Sequence, residues 1–128
     1  MSQRLVLVCV SMVLSAPALA AQTADSLPPG VTADMVATGN RLFHGAGICF
    51  SCHGQDAKGT PGLGPDLGDA QWLHGDGSYE YIVRRIMAGV PADSSTSGVA
   101  MPPRGGSRLT DDQVREVAAY VWHLRVSR

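Results

Sequence analysis

Five consecutive residues, Cys49-Phe50-Ser51-Cys52-His53, carry two thiols and an imidazole. Cysteines three positions apart fall one helical turn apart on a shared face. Both sulfurs then reach the two vinyl groups on one edge of a single porphyrin, and His53, directly following, swings an imidazole under the iron. Cys-x-x-Cys-His in this order is the arrangement of c-type haem attachment. Other uses of the pair fit less well. A zinc site needs a second ligand pair at comparable spacing, and the chain offers no second cysteine pair and only the scattered His44, His74 and His123. A thioredoxin-like dithiol needs a surrounding βαβ pattern, whereas the neighbourhood here is glycine- and proline-rich loop. A disulfide between cysteines this close would shut a loop too small to stabilise much.

Haem iron has two axial positions, and His53 takes one. Candidates for the other are Met35, Met87, Met101, His44, His74 and His123. Met35 and Met87 fall on helix faces, where a methionine serves as flexible core filler. Met101 stands in Gly98-Val99-Ala100-Met101-Pro102-Pro103, where no periodic pattern calls for an apolar residue. Two prolines directly after it stiffen the backbone, which suits a thioether held at one position. Met101 is the expected distal ligand, with the histidines as the alternative.

The elements that must position these groups read as helices. Thr32 caps a helix that carries Met35, Gly39, Leu42, Phe43 and Ala46 on one face. A second runs from about Ser78 to Ala88, with Tyr79, Ile82, Val83 and Ile86 inward, Arg84 and Arg85 outward, and Gly89 as its stop. A last helix begins at Thr110, where Thr-Asp-Asp-Gln has the form of a capping box, and carries Val114, Val117, Ala118, Val121 and Leu124. No strand pattern and no internal repeat is present, so the expected class is all-α. Two long segments rich in Gly, Pro and Ser, 54–77 and 91–109, separate the helices. Loops of that length count against a compact domain. Wrapping them over a flat apolar ring removes the conflict, because their side chains then gain burial and their glycines allow close backbone approach.

The ends and the composition narrow the setting. Arg4, an apolar run from Leu5 to Leu14 and the small-x-small triplet Ala18-Leu19-Ala20 read as a secretory signal at 1–20, cut before Ala21. The run is about half the length a bilayer span needs, so no membrane span is expected after cleavage. Cys9 leaves with the signal, and residues 21–31, with Pro28-Pro29-Gly30, read as a loose leader. The domain is then 32–128. Removing Arg4 from ten basic residues leaves nine against eleven acidic ones, a balance that argues against nucleic acid or anionic membrane as partners. Two Phe, two Trp and three Tyr are a thin aromatic supply for a core, and a buried macrocycle would add the missing apolar volume.

Taken together, the chain resembles a class I c-type cytochrome of the small bacterial monohaem kind. The matching residues are Gly39 and Phe43, Cys49 to His53, Gly64-Pro65-Asp66-Leu67, Ile82 to Gly89, Met101-Pro102-Pro103 and Ala119-Tyr120-Val121. The resemblance implies the cytochrome c fold, three to five helices with long loops around one covalently attached haem c, the first and last helices crossing where Gly39 and Phe43 meet Tyr120. It also implies that the Pro65 carbonyl accepts a hydrogen bond from His53; a plain turn proline is the alternative. Trp72 would reach a haem propionate through its indole N–H or simply cover the ring. The implied activity is one-electron transfer in the periplasm, between a donor such as a periplasmic dehydrogenase and a membrane oxidase or reductase. A tightly bound electron-transfer subunit of such a dehydrogenase is the second possibility. Lysine-rich docking surfaces occur in the mitochondrial members, whereas Lys58 is the single lysine here, so the expected contact is an apolar rim around Phe50, Leu63 and the Met101 segment.

Overall fold

A computed structural model describes residues 27–69, 71–72 and 75–127; the signal read at 1–20 and most of the leader lie outside the described residues. Among the described residues there are four α-helices, α1 (Ala33–His44), α2 (Phe50–His53), α3 (Tyr79–Ala88) and α4 (Asp111–Val126), with short 3-10 turns at Ala92–Ser94 and Pro103–Gly106. The only β pairing among them is two isolated bridges. The architecture is all-α.

Each long helix starts where the sequence supplies a cap. The hydroxyl of Thr32 accepts from the Met35 N–H, and that of Ser78 from the Tyr81 N–H. At α4 the box is reciprocal: the Gln113 N–H donates to Thr110 Oγ1, and the Thr110 N–H to Gln113 Oε1. Such caps are worth about 1 kcal/mol each. α1 is shorter than its apolar spacing suggests. Gly45 ends it, the Gly47 N–H turns back to the Leu42 carbonyl at 2.8 Å, and Ala46 is exposed in that turn, not on the helix face.

The core lies where α1 and α3 pack on α4. Gly39 is buried in α1, and a β-carbon there would overlap the backbone carbonyl of Glu116 and lie 2.9 Å from the Tyr120 Cβ. The two helices therefore cross at near backbone contact. Phe43, one turn further along, is fully buried and meets Tyr120 edge to face with ring centroids 5.4 Å apart. α3 turns Tyr79, Ile82, Val83 and Ile86 inward, and the Tyr79 hydroxyl donates to the Arg115 carbonyl of α4 at 3.2 Å. Of the expected leader, Leu27 packs against this core and Val31 is buried in it.

Two loop segments close over the helices. In the first, Ala57 is fully buried, the Gly59 N–H donates to the His53 carbonyl, and Thr60 bridges to Gly64. In the second, Val90 bridges to Met101. The Ser97 hydroxyl joins the two segments by donating to the Leu63 carbonyl at 2.9 Å.

Candidate haem site

α2 is a single turn, and that brevity is what places its side chains. The Cys52 and His53 N–H groups both return to the Cys49 carbonyl, at 3.2 and 3.0 Å, so Cys49 and Cys52 face the same way. Both thiols are free and both line one apolar cavity. Burial pushes the Cys49 thiol up to about 11, a backbone hydrogen bond opposing it and Cys52 adding to it. It is a neutral sulfur at ordinary pH.

His53 lines the same cavity and is 8% exposed. Its Nδ1 lies 3.0 Å from the Pro65 carbonyl oxygen. A carbonyl only accepts, so Nδ1 carries the proton and Nε2 keeps a free lone pair, the tautomer a metal-binding imidazole needs. Burial lowers the His53 pKa from its ordinary value, and the bond to Pro65 opposes that shift. The neutral ring is favoured.

Met101 reaches the cavity from the second loop. Its backbone is fixed at both ends of the residue: its N–H donates to the Val90 carbonyl at 2.9 Å, and its carbonyl accepts from the Val90 N–H at 2.8 Å. The other candidates among the described residues do not line the cavity. Met35 and Met87 pack against the helical core. The His44 ring lies between two backbone carbonyls, Nδ1 2.9 Å from that of Asn40 and Nε2 2.8 Å from that of Gln55, and donates to one of them. His74 lies outside the described residues.

One wall of the cavity carries polar groups, with Tyr81 and Arg85 standing beside the expected Trp72. Arg85 does not face out as its position beside Arg84 suggested. It is half-buried, stands over the Tyr81 ring at 5.2 Å, and donates to the Tyr81 hydroxyl from Nε at 3.1 Å and Nη2 at 2.7 Å. The physical reason is the four-residue spacing, which puts ring and guanidinium on one helix face where the cation gains from the π system. That Tyr-x-x-x-Arg spacing was the available signal. Trp72 stacks edge on against Tyr81, and its Nε1–H is buried without a hydrogen-bond acceptor. A buried N–H donor and a guanidinium lining one cavity suit a carboxylate.

The mouth of the cavity is apolar. Ile48, Leu63 and Val99 line it while remaining 46%, 42% and 42% exposed. Ile48 also holds a φ of 49°, a strained value for a β-branched residue, immediately before the first cysteine. Strain of this kind concentrates at functional sites.

Helices, cavity and ligand-type side chains define a class I c-type cytochrome. The family model for cytochrome C oxidase, cbb3-type, subunit III matches residues 34–121, and the chain belongs to this family. It is similar to the cbb3-type cytochrome c oxidase subunit CcoP of Rubrivivax gelatinosus, 39% identical over 89 residues that cover 70% of this chain and 26% of that protein. It is also similar to the subunit FixPc of Rhizobium leguminosarum bv. viciae, 42% identical over 78 residues covering 59% of this chain and 26% of that one. The chain thus spans about a quarter of the length of these curated relatives. Among solved structures it resembles cytochrome cL from the marine methylotroph Methylophaga aminisulfidivorans MPT, with a TM-score of 0.54 and 29% identity over 69% of this chain and 53% of that one. A cytochrome c domain implies haem c, and the residues present fit it: two sulfurs one turn apart, an imidazole with Nε2 free, a thioether on the same cavity, and a buried N–H donor for a carboxylate.

Proposed function

We propose that this domain is a one-electron carrier holding a single covalently attached haem c, exported to the periplasm, where it passes electrons between redox proteins. One observation carries the reading: a single apolar cavity gathers Cys49, Cys52, a neutral oriented His53 and a backbone-clamped Met101. Cys49 and Cys52 would form the thioethers, His53 and Met101 would be the axial ligands, and Trp72, Tyr81 and Arg85 would receive a propionate. When bound, haem supplies a reversible Fe(III)/Fe(II) couple. The chain's own residues do the rest. The Pro65 carbonyl holds the His53 ring in one tautomer, so ligation needs no proton movement. The two bonds to Val90 hold the Met101 backbone, so its thioether would be presented to the iron from a fixed point, which would limit rearrangement on electron transfer, and a thioether would favour the reduced iron. The cavity walls are mainly apolar, and Ile48, Leu63 and Val99 offer a partner an apolar contact.

Export rests on the segment from Arg4 to Ala20. Among the described residues no helix is long and apolar enough to cross a membrane. A second reading is favoured by the relatives, which are oxidase subunits about four times as long as the matched stretch: the domain acts as an electron-transfer subunit bound to a membrane oxidase. This replaces the dehydrogenase as the favoured stable partner.

The test is mass spectrometry and visible spectroscopy of protein recovered from the periplasm. The expected result is a chain starting at Ala21 with one haem that resists acid acetone, together with the weak red-edge absorption of thioether-bound ferric iron. Extractable haem, or that absorption surviving Met101→Ala, would overturn the assignment. Gel filtration separates the two settings, since a free carrier elutes alone and a subunit elutes with a large partner.

A further inference from the structure

We propose that Gly89 is the positioning residue for the distal ligand: its missing β-carbon is the space that seats the backbone of Met101. The inference rests on the ligation reading above. Gly89 ends α3 with φ 73° and ψ −168°, a region that residues with a β-carbon scarcely enter. A stop glycine needs no more than that conformation. Here there is a second constraint, because a β-carbon at position 89 would overlap the Met101 carbonyl oxygen and lie 2.7 Å from the Pro102 carbonyl carbon and 2.8 Å from the Pro103 nitrogen. All three are backbone atoms, so no side-chain rotation relieves the collision. The segment 101–103 would have to move away from α3. The next residue, Val90, makes both hydrogen bonds that hold Met101, so this movement would break the clamp and carry the thioether off its position.

Gly98 provides the comparison. It lies in the same loop, three residues before Met101, has φ 72°, and a β-carbon there would meet nothing within 4 Å. Alanine at either site adds backbone strain, but only at position 89 does it press on the ligand-bearing segment.

The experiment compares haem-loaded Gly89→Ala, Gly98→Ala and Met101→Ala by titration of the ferric protein with imidazole, followed by the loss of thioether-iron absorption. Gly89→Ala should bind imidazole about tenfold or more tightly than Gly98→Ala, which corresponds to about 1.4 kcal/mol, and should approach Met101→Ala. Equal imidazole affinity in Gly89→Ala and Gly98→Ala, with Met101→Ala open, would overturn the inference and leave the ligation reading standing. Unchanged affinity in Met101→Ala would remove both. Should Gly89→Ala yield no haem-loaded protein, the parent protein supplies the decision through amide hydrogen exchange. Displacing Met101 with imidazole should speed exchange at the Val90 and Met101 amides together and leave Val117 in α4 unchanged. If the Val90 amide stays protected, ligand and clamp are independent and the inference fails.

Discussion

Gly39 and Gly89 both exclude a β-carbon, yet they belong to regions built on different terms. At Gly39 the backbone is ordinary helix, and the glycine serves contact: α1 lies against the Glu116 carbonyl of α4, and the surrounding Phe43, Val114 and Val117 are fully or almost fully buried. At Gly89 the conformation itself is one that other residues avoid, and the neighbours are backbone atoms of a loop. The helical part therefore draws its stability from side chains packed on side chains. The loop part depends on turns, isolated backbone bridges such as Val90 to Met101, and whatever fills the cavity. A fold divided in this way should fail in two stages with different triggers.

The largest separation should come from removing the attachment points. Cys49→Ala with Cys52→Ala should abolish covalent haem, and amide exchange should then show residues 54–77 and 89–109 losing most protection while α1 and α4 keep part of theirs. Uniform loss throughout would show that the two regions are one cooperative unit. Next in size, Gly39→Leu should cost about 1–3 kcal/mol by overpacking, at the upper end because the obstacle is a carbonyl and not a flexible side chain. Thermal melting checks the cost, and an unchanged visible spectrum checks that the damage stays in the helical part.

How much of this was legible in the sequence follows the same division. Thr32, Ser78 and Thr110 announce their helices because a cap is a local matter between residues three apart. The crossing at Gly39, Phe43 and Tyr120 came from the family resemblance and is present in the packing. Periodicity says which residues share a face but not what covers that face, and so it leaves Arg85 facing solvent although its partner Tyr81 stands one turn away. The burial of Val31 was hidden by the Pro28-Pro29-Gly30 turn before it, whose backbone bond from the Val31 N–H to the Pro28 carbonyl folds the segment onto the core. Cys49 to His53 stand out because the motif consists of consecutive residues, and the structure places all three of its chemical groups on one cavity. Tyr81 and Arg85 come to the site from another helix, and their spacing alone does not say which cavity they line.

A smaller and opposite effect is expected at the rim. Ile48→Gly should relieve backbone strain of about 1 kcal/mol, partly offset by glycine's greater freedom when unfolded, so the variant should melt at or slightly above the parent temperature. Its electron-transfer rate with a physiological partner should fall, since an exposed apolar contact is lost. A slower rate with a clear fall in melting temperature would mean that the strain is compensated locally. The smallest expected effect is that of salt. With Arg104 already paired to Asp111 at 2.6 Å and Arg85 turned into the cavity wall, the bimolecular rate should stay nearly flat across an ionic-strength series. A steep fall would show that exposed charges, screened beyond about 8 Å at physiological salt, set the encounter.

His44 gives the His53 and Met101 sides of the cavity unequal mechanical standing. Its ring lies between the Asn40 carbonyl of α1 and the Gln55 carbonyl, two residues beyond His53, and so the chain that carries the imidazole is braced against the helix that crosses α4. Met101 hangs from the end of α3 by a two-bond bridge within the loop shell. Under rising denaturant the load path on the histidine side runs into a helix crossing, whereas on the methionine side it ends in a loop. On the ligation proposed above, the Met101 sulfur should therefore release first, with the His53 imidazole still bound, and the protein should pass through a state that is open on one face only.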